Sequence, residues 1–177
     1  FVRADILGSQ LKNIDKILEQ AITDITGNEL PNEGNGFLFR SIAHRRVKDF
    51  VNKQIDEINK GTSIQIIELE WGGKSKSVPK PYLYINGTKA YISGTIDRVE
   101  YVDNKLRIAD YKTGSVENKE LQGNILETEK ENISGKWFQV MTYAWIYWNN
   151  KDKKINSPTM YAGIYPLKQP SKGFMEI

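Results

Sequence analysis

Apolar residues recur at helical spacing in two stretches of the first sixty residues. The first stripe consists of Leu11, Ile14, Leu18, Ala21, Ile22 and Ile25. The second stripe consists of Leu38, Ile42, Val47, Phe50, Val51, Ile55 and Ile58. Apolar residues three and four apart lie on one helix face. The pattern therefore predicts two amphipathic helices joined by a polar linker at 27–36. The second helix is predicted to end at Gly61.

The middle of the chain is rich in β-branched and aromatic residues between turn-forming residues, which is typical of strands. The predicted strands are residues 63–71, 81–86, 90–101 and 105–112. A long polar loop should follow at 113–135, with a helical turn around Leu121. The almost wholly apolar run 136–148 predicts a buried helix, a charged turn follows at 149–156, and 159–165 predicts a final strand before a ragged end. This order predicts a mixed α/β fold with one central sheet flanked by helices.

Composition narrows the class of protein. At 177 residues with 39% apolar content, the chain is expected to form a single domain over 1–177, with a helical part at 1–60 and an α/β core at 61–177. The absence of cysteine excludes disulfides and cysteine-ligated iron–sulfur clusters. No run approaches 18 apolar residues, so we expect a cytoplasmic protein without a membrane partner. A net charge of +3 permits a nucleic-acid partner without requiring one.

Asp97 and Asp110 are predicted to lie directly opposite each other on a β-hairpin. Asp103 and Asn104 tolerate left-handed conformations, and with these two as the loop residues Asp97 pairs with Asp110. Opposed Cβ atoms stand about 4.5–5.5 Å apart, and like charges there are destabilising. The pair therefore needs a compensating charge, for which a divalent cation is the natural candidate. Lys112 should share the face of Asp110, because side chains alternate along a strand.

Two neighbours of these carboxylates are expected on the opposite face of the hairpin. Tyr111 should point away from Asp110, and Arg98 should point away from Asp97. We therefore expect Arg98 to form a structural ion pair and to take no part in catalysis.

Three motifs occur together in the second half of the chain: GTIDRV at 94–99, DYKTG at 110–114, and Gln139 followed four residues later by Tyr143. In combination they resemble the RecB-type (AddB-like) branch of the PD-(D/E)XK nuclease superfamily. The resemblance implies a restriction-endonuclease-like α/β core with a central mixed β-sheet. It also implies hydrolysis of DNA with Mg²⁺ or Mn²⁺, commonly in a helicase–nuclease that processes double-strand breaks. Exonuclease action is favoured over endonuclease action, and the expected partners are DNA and a helicase domain or subunit.

The resemblance also implies roles for individual residues. Asp97, Asp110 and the backbone carbonyl of Tyr111 would bind the metal ion, and Lys112 would orient the attacking water or neutralise charge on the phosphate. Gln139 and Tyr143 would face the active site and help to position DNA. An upstream acidic residue often contributes as well, and Glu70 fits that position better than Glu68, although both share one predicted strand face.

His44 leaves two alternatives open. The family carries a metal-ligating histidine on an N-terminal helix, and His44 is the only histidine in the chain. Its surroundings lack the glycine that closely precedes the family histidine, which favours a family histidine upstream of Phe1. On that interpretation the chain is a fragment of a longer protein.

Two other functional classes also stay open. One is a nuclease-fold module that binds nucleic acid or a protein partner without cutting. The other is an interaction domain in which the Asp–Lys hairpin is a surface accident. In that case the helix carrying Gln139 has no reason to meet the hairpin.

Overall fold

The computed structural model describes residues 1–28, 31–72, 80–123, 134–150 and 157–177. Helices in these ranges are α1 (Ala4–Leu11), α2 (Ile14–Thr26), α3 (Gly34–Asn59) and α4 (Gly135–Asn150). Strands are β1 (Ile64–Trp71), β2 (Tyr82–Ile85), β3 (Thr88–Tyr91), β4 (Ile96–Val102), β5 (Lys105–Lys112), β6 (Met160–Pro166) and β7 (Met175–Glu176). Short 3-10 helices occupy Asn118–Leu121 and Pro170–Lys172. None of the described helices is long and apolar enough to cross a membrane.

The first predicted helix is in fact two helices, α1 and α2. Asn13 leaves helical geometry at φ −103° and ψ 4°, which separates them. Asparagine competes for backbone hydrogen bonds and favours helix ends. Gly27 then ends α2 in the left-handed conformation that a glycine adopts at low cost. The second predicted helix is confirmed as α3, which stops just before Gly61.

Five strands form one mixed sheet in the order β1-β4-β5-β6-β7. β4 runs antiparallel to both β1 and β5, whereas β5 and β6 are parallel and are connected through α4. A parallel pair requires a crossover of this kind. The predicted mixed α/β fold with a central sheet flanked by helices is confirmed.

The predicted strand 90–101 is wrong as a single element. It is divided between β3 and β4, and residues 92–95 between them are not in a strand. β3 pairs with β2 in a separate two-stranded sheet, so its partner differs from that of β4. The prediction also missed the short edge strand β7 in the ragged end. Parts of the predicted loop and charged turn, at 124–133 and 151–156, lie outside the described residues.

The apolar core lies between the sheet and α4. Val140 of α4 and Val99, Ile108 and Ile164 of the sheet are almost fully buried there. The almost wholly apolar sequence of α4 predicted a helix buried on all sides, but one side of α4 is exposed. Phe138 is 62% exposed. One helix can therefore cover the sheet while leaving an aromatic side chain in solvent.

A cluster of charged and aromatic side chains lies on the other face of the sheet, against α3. Glu100 is fully buried and accepts a hydrogen bond from Arg107 Nε at 2.8 Å. It also forms an ion pair with Arg98, which confirms the predicted structural role of that arginine. Arg98 Nη2 in turn donates to Gln54 of α3 at 3.1 Å. Burial raises the pKa of Tyr165, so its hydroxyl keeps the proton it donates to Glu100 Oε1 at 3.1 Å.

Candidate active site

The hairpin formed by β4 and β5 sets the positions of the two candidate metal-binding carboxylates. Its ladder pairs Arg98 with Ala109, so the next position places Asp97 opposite Asp110. Asp103 and Asn104 adopt φ of 49° and 63° in the turn. Both values lie in the left-handed region that was predicted for these two residues.

The two faces of β5 carry different chemistry. Lys112 Nζ lies 2.8 Å from Asp110 Oδ2, so these two side chains share the face covered by α4. The ring of Tyr111 lies on the other face, with its centroid 5.5 Å from that of Phe50 in α3. The alternation predicted for Asp110, Tyr111 and Lys112 is confirmed.

Asp110 is the most buried carboxylate of the predicted site. Its side chain is 4% exposed, and its Oδ2 atom has the Lys112 ion pair but no hydrogen bond of good geometry. Burial raises the pKa of Asp110, Lys112 acts in the opposite direction, and the nearby charge of Asp97 raises the pKa further. A buried charge of this kind is costly unless a cation compensates it. The site therefore already favours positive charge beside Asp110.

Lys112 connects the hairpin to α4 through a chain of polar contacts. Its Nζ atom donates to Gln139 Oε1 at 2.6 Å, and Gln139 Nε2 donates to the Tyr143 hydroxyl at 2.8 Å. Tyr143 packs closely on Gly94, where an added Cβ would lie 2.7 Å from Tyr143 Cε1. All three predicted motifs therefore meet at one place. The surface-accident interpretation gave no reason for this meeting.

The oxygen atoms around Asp97 and Asp110 are suitable ligands for a divalent cation that prefers oxygen. Asp97 Oδ2 accepts the backbone N–H of Tyr111 at 2.8 Å. Because the N–H and C=O of a strand residue point to the same edge, the Tyr111 carbonyl faces the same gap between β4 and β5. In the described part of the chain, no three or more Asp, Glu or His side chains form a group that could hold a metal ion. Mg²⁺ commonly uses one or two carboxylates and keeps several waters, so two carboxylates and a carbonyl are a suitable set.

Glu70 lies near this edge, but its participation stays a prediction. β1 pairs Leu69 with Arg98 and Trp71 with Ile96, which puts Glu70 in the register of Asp97. Glu70 is exposed and has φ 51°, a conformation that is uncommon for residues other than glycine. The regular alternation that would have placed Glu68 and Glu70 on one face is interrupted there.

The side chain of His44 contacts α2. Its Nδ1 atom lies 2.7 Å from Asp15 Oδ1, and its Nε2 atom lies 3.1 Å from Glu19 Oε1. Lys48 also pairs with Asp15, at 2.7 Å. Both ring nitrogens therefore face carboxylates between two helices, which gives His44 a structural explanation that the sequence did not reveal.

Two supporting contacts were missed at the level of sequence. Arg46 of α3 donates to the Thr113 carbonyl at 2.8 Å and so holds the segment that follows Lys112. The pair of Glu100 and Arg107 could have been found, because the hairpin register that aligns the two aspartates also places these opposite charges across from each other. The contact of Arg46 is 67 positions apart in sequence and carries no local signal.

Comparison with known proteins agrees with this geometry. The model of the PD-(D/E)XK nuclease superfamily matches residues 5–175. No curated protein and no solved structure matches the chain. The family match covers all three motifs and the three elements that hold them, β4, β5 and α4. The chain belongs to the PD-(D/E)XK nuclease superfamily.

Proposed function

We propose that the protein is a Mg²⁺- or Mn²⁺-dependent deoxyribonuclease of the RecB type. It acts as an exonuclease in a helicase–nuclease machine for double-strand break repair. The superfamily match supports phosphodiester hydrolysis, and the combination of the three motifs supports the RecB-type assignment. We take residues 1–177 as one nuclease domain, because the family match extends over both the helical part and the α/β core.

One observation carries the proposal: the Asp110–Lys112–Gln139–Tyr143 chain of contacts beside Asp97. Lys112 lies 2.8 Å from Asp110 and 2.6 Å from Gln139, although Gln139 is 27 positions away in sequence. A solvated Asp–Lys pair would be worth little and would need no third group. By contrast, the ammonium group of Lys112 is held in one position between the buried carboxylate of Asp110 and the side-chain amide of Gln139. Such positioning is what a catalytic cation requires.

Each residue has a separate task in this mechanism. Asp97, Asp110 and the Tyr111 carbonyl would hold the metal ion, which when bound polarises the phosphodiester and lowers the pKa of water. Lys112 would place its ammonium group against the attacking water or the phosphate oxygen on which charge develops. Gln139 would hold Lys112 in place, and Tyr143 would hold Gln139 and contact DNA. Glu70 would add an acidic group at the same edge of the sheet.

A cleavage assay on single- and double-stranded DNA, with Mg²⁺ or Mn²⁺ and with chelator, tests the proposal. Asp110→Asn and Lys112→Ala should each lower kcat by about a hundredfold or more, since each removes a group that acts on the transition state. Asp110→Asn should also abolish Mn²⁺ binding measured by calorimetry. DNA labelled at one end or internally separates exonuclease from endonuclease action.

Matched control variants lie on the same hairpin. Asp103→Asn changes a carboxylate in the turn, and Lys105→Ala removes a lysine at the opposite end of β5; both should cut DNA as the parent does. Unchanged cleavage by Asp110→Asn and Lys112→Ala would refute the mechanism. Binding of DNA with neither cleavage nor Mn²⁺ binding by the parent would instead support a non-catalytic nuclease-fold module.

A further inference from the structure

A two-stranded ribbon made of β2 and β3 directly precedes, in the chain, the strand that carries Asp97. In the chain it lies between β1 and β4, and therefore between Glu70 and Asp97. Its base is closed by a hydrogen bond from Ile92 N to Pro81 O at 2.9 Å. Among the described strands, β2 and β3 pair only with each other. The ribbon is thus joined through residues 92–95 to the end of β4 that carries Asp97.

One face of this ribbon is aromatic and exposed. Tyr82 pairs with Tyr91 and Tyr84 pairs with Lys89, so these four side chains share one face. Tyr84 is 64% exposed and Tyr91 is 63% exposed. The ring of Tyr82 contacts both of the other tyrosine rings edge-on, with centroid distances of 5.6 and 5.8 Å. We call these four residues the tyrosine face.

The charge around the tyrosine face suits an anion. Lys89 Nζ lies 4.6 Å from the ring centroid of Tyr82 and 5.9 Å from that of Tyr84. Lys80, at the start of the ribbon, is exposed. The described residues 80–96 contain two lysines, Lys80 and Lys89, and no aspartate or glutamate. A ligand with π-faces and negative charge is therefore complementary to this surface.

Stability of the ribbon explains only part of this arrangement. An isolated two-stranded ribbon is marginal in water, and a cross-strand aromatic pair such as Tyr82 and Tyr91 stabilises it. Tyr84 is paired with Lys89 and is the most exposed of the three rings. An exposed aromatic group beside a lysine, on a ribbon that leads directly into the strand of Asp97, indicates a binding surface.

We propose that the tyrosine face binds single-stranded DNA and directs it toward Asp97 and Asp110. Unpaired bases would stack on Tyr84 and Tyr91, and Lys89 and Lys80 would contact the phosphates. Stacking on aromatic side chains beside basic groups is the usual mode of single-strand binding, and bases in a duplex do not offer their faces. The inference rests on the proposed nuclease function, for which it names the substrate form: a single-stranded end or overhang.

The test measures binding of a fluorescent oligothymidylate by anisotropy in chelator, so that no cleavage occurs. Tyr84→Thr and Tyr91→Thr keep a strand-forming residue but remove the ring, and each should weaken binding roughly tenfold. Tyr84→Phe and Tyr91→Phe should bind as the parent does, because the ring remains. Ile85→Thr, an exposed position on the opposite face of the ribbon, is the matched control for loss of ribbon stability.

Three outcomes would overturn the inference: parental affinity in both threonine variants, an equal loss in Ile85→Thr, or tighter binding of duplex than of single strand. Cleavage of overhang substrates then distinguishes this inference from the proposed function. If the parent cuts DNA and the threonine variants keep its KM, the inference fails while the nuclease function stands. If tyrosine-dependent binding is found without cleavage, the proposed activity fails while the single-strand site stands.

Discussion

At the scale of single residues, the amide of Gln139 has a forced orientation. The Lys112 ammonium has only donors, so Gln139 must present its oxygen to Lys112 and its NH₂ group to Tyr143. A flipped amide would place two donors against each other. Tyr143 therefore influences Lys112 without touching it, through one intervening side chain.

Tyr143→Phe should lower kcat by about two- to tenfold with little change in KM. The ring that packs on Gly94 remains, and only the hydroxyl that accepts from Gln139 is lost. One such hydrogen bond is worth about 0.5–1.5 kcal/mol. Steady-state cleavage kinetics measure the effect, and Tyr161→Phe, at the far end of β6, is the matched control. A rise in KM without a fall in kcat would mean that the Tyr143 hydroxyl serves only the DNA contact and does not position Lys112.

His44→Gln should leave Mn²⁺ affinity and cleavage close to those of the parent. Both His44 nitrogens face carboxylates of α2, at 2.7 Å from Asp15 and 3.1 Å from Glu19. Calorimetric titration with Mn²⁺ measures the affinity, and Asp97→Asn is the comparison that should lose binding. Equal losses in the two variants would make His44 a metal ligand.

At the scale of elements, β5 lies between two helices that use its two faces differently. Asp110 and Lys112 face α4, whereas Arg107 and Tyr111 belong to the cluster that packs on α3. The charged cluster therefore holds β5 from its α3 side, while Asp110 lies on its α4 side in the candidate site. The position of the β4–β5 hairpin therefore depends on contacts with both helices.

Gly94→Ala should destabilise the fold by about 1–3 kcal/mol, the usual range for overpacking. The new Cβ would lie 2.7 Å from Tyr143 Cε1, so α4 or the start of β4 would have to move. Gly114 belongs to the other motif and has nothing within 4 Å of its added Cβ, which makes Gly114→Ala the matched control. Urea denaturation measures both variants. Equal stability of the two would show that the contact between Gly94 and Tyr143 is not tight.

Glu100→Ala should be the most destabilising substitution of the cluster, costing about 3–5 kcal/mol. It would leave Arg98 and Arg107 facing each other in a buried site without their common carboxylate. Denaturation by urea gives the free energy of unfolding. Glu176→Ala removes an exposed carboxylate from β7 and should change it by less than about 0.5 kcal/mol. A small effect at Glu100 would mean that water solvates the two arginines.

At the scale of the whole molecule, the proposed site draws on distant parts of the chain. Asp97 and Asp110 come from the central hairpin, and Gln139 and Tyr143 come from the crossover helix. The ribbon of β2 and β3 lies between β1 and β4 in the chain. A ligand that binds only this assembly stabilises the entire fold by mass action.

Mn²⁺ at about a hundred times its Kd should raise the melting temperature by roughly 5–10 °C. Scanning calorimetry with Mn²⁺ and with chelator measures the shift. The shift should disappear in Asp110→Asn and persist in Asp103→Asn, which alters a carboxylate far from the pair. An equal shift in both variants would place the ion elsewhere.

Features that depend on neighbouring residues could be predicted from the chain alone. The register that aligns Asp97 with Asp110 follows from the two-residue turn at Asp103 and Asn104, and the alternation of Asp110, Tyr111 and Lys112 follows from the period of a strand. The helix α3 follows from helical spacing and its end from the glycine at Gly61, although Leu38 and Ile42 of the predicted stripe are exposed. Each of these rests on backbone geometry over a few positions.

Which distant groups meet could not be predicted in this way, because it depends on the packing of whole elements. The predicted strand 90–101 is two strands because its first part pairs with β2, whereas its second part pairs with β1 and β5. The local sequence pattern does not indicate these different partners. The partners of His44 on α2, the burial of Asp110 under α4 and the contact between Lys112 and Gln139 also depend on how the elements pack. Packing is set by the sum of many weak long-range contacts. The chemical groups of the site could therefore be predicted from the sequence, whereas the neighbours of each group depend on the fold.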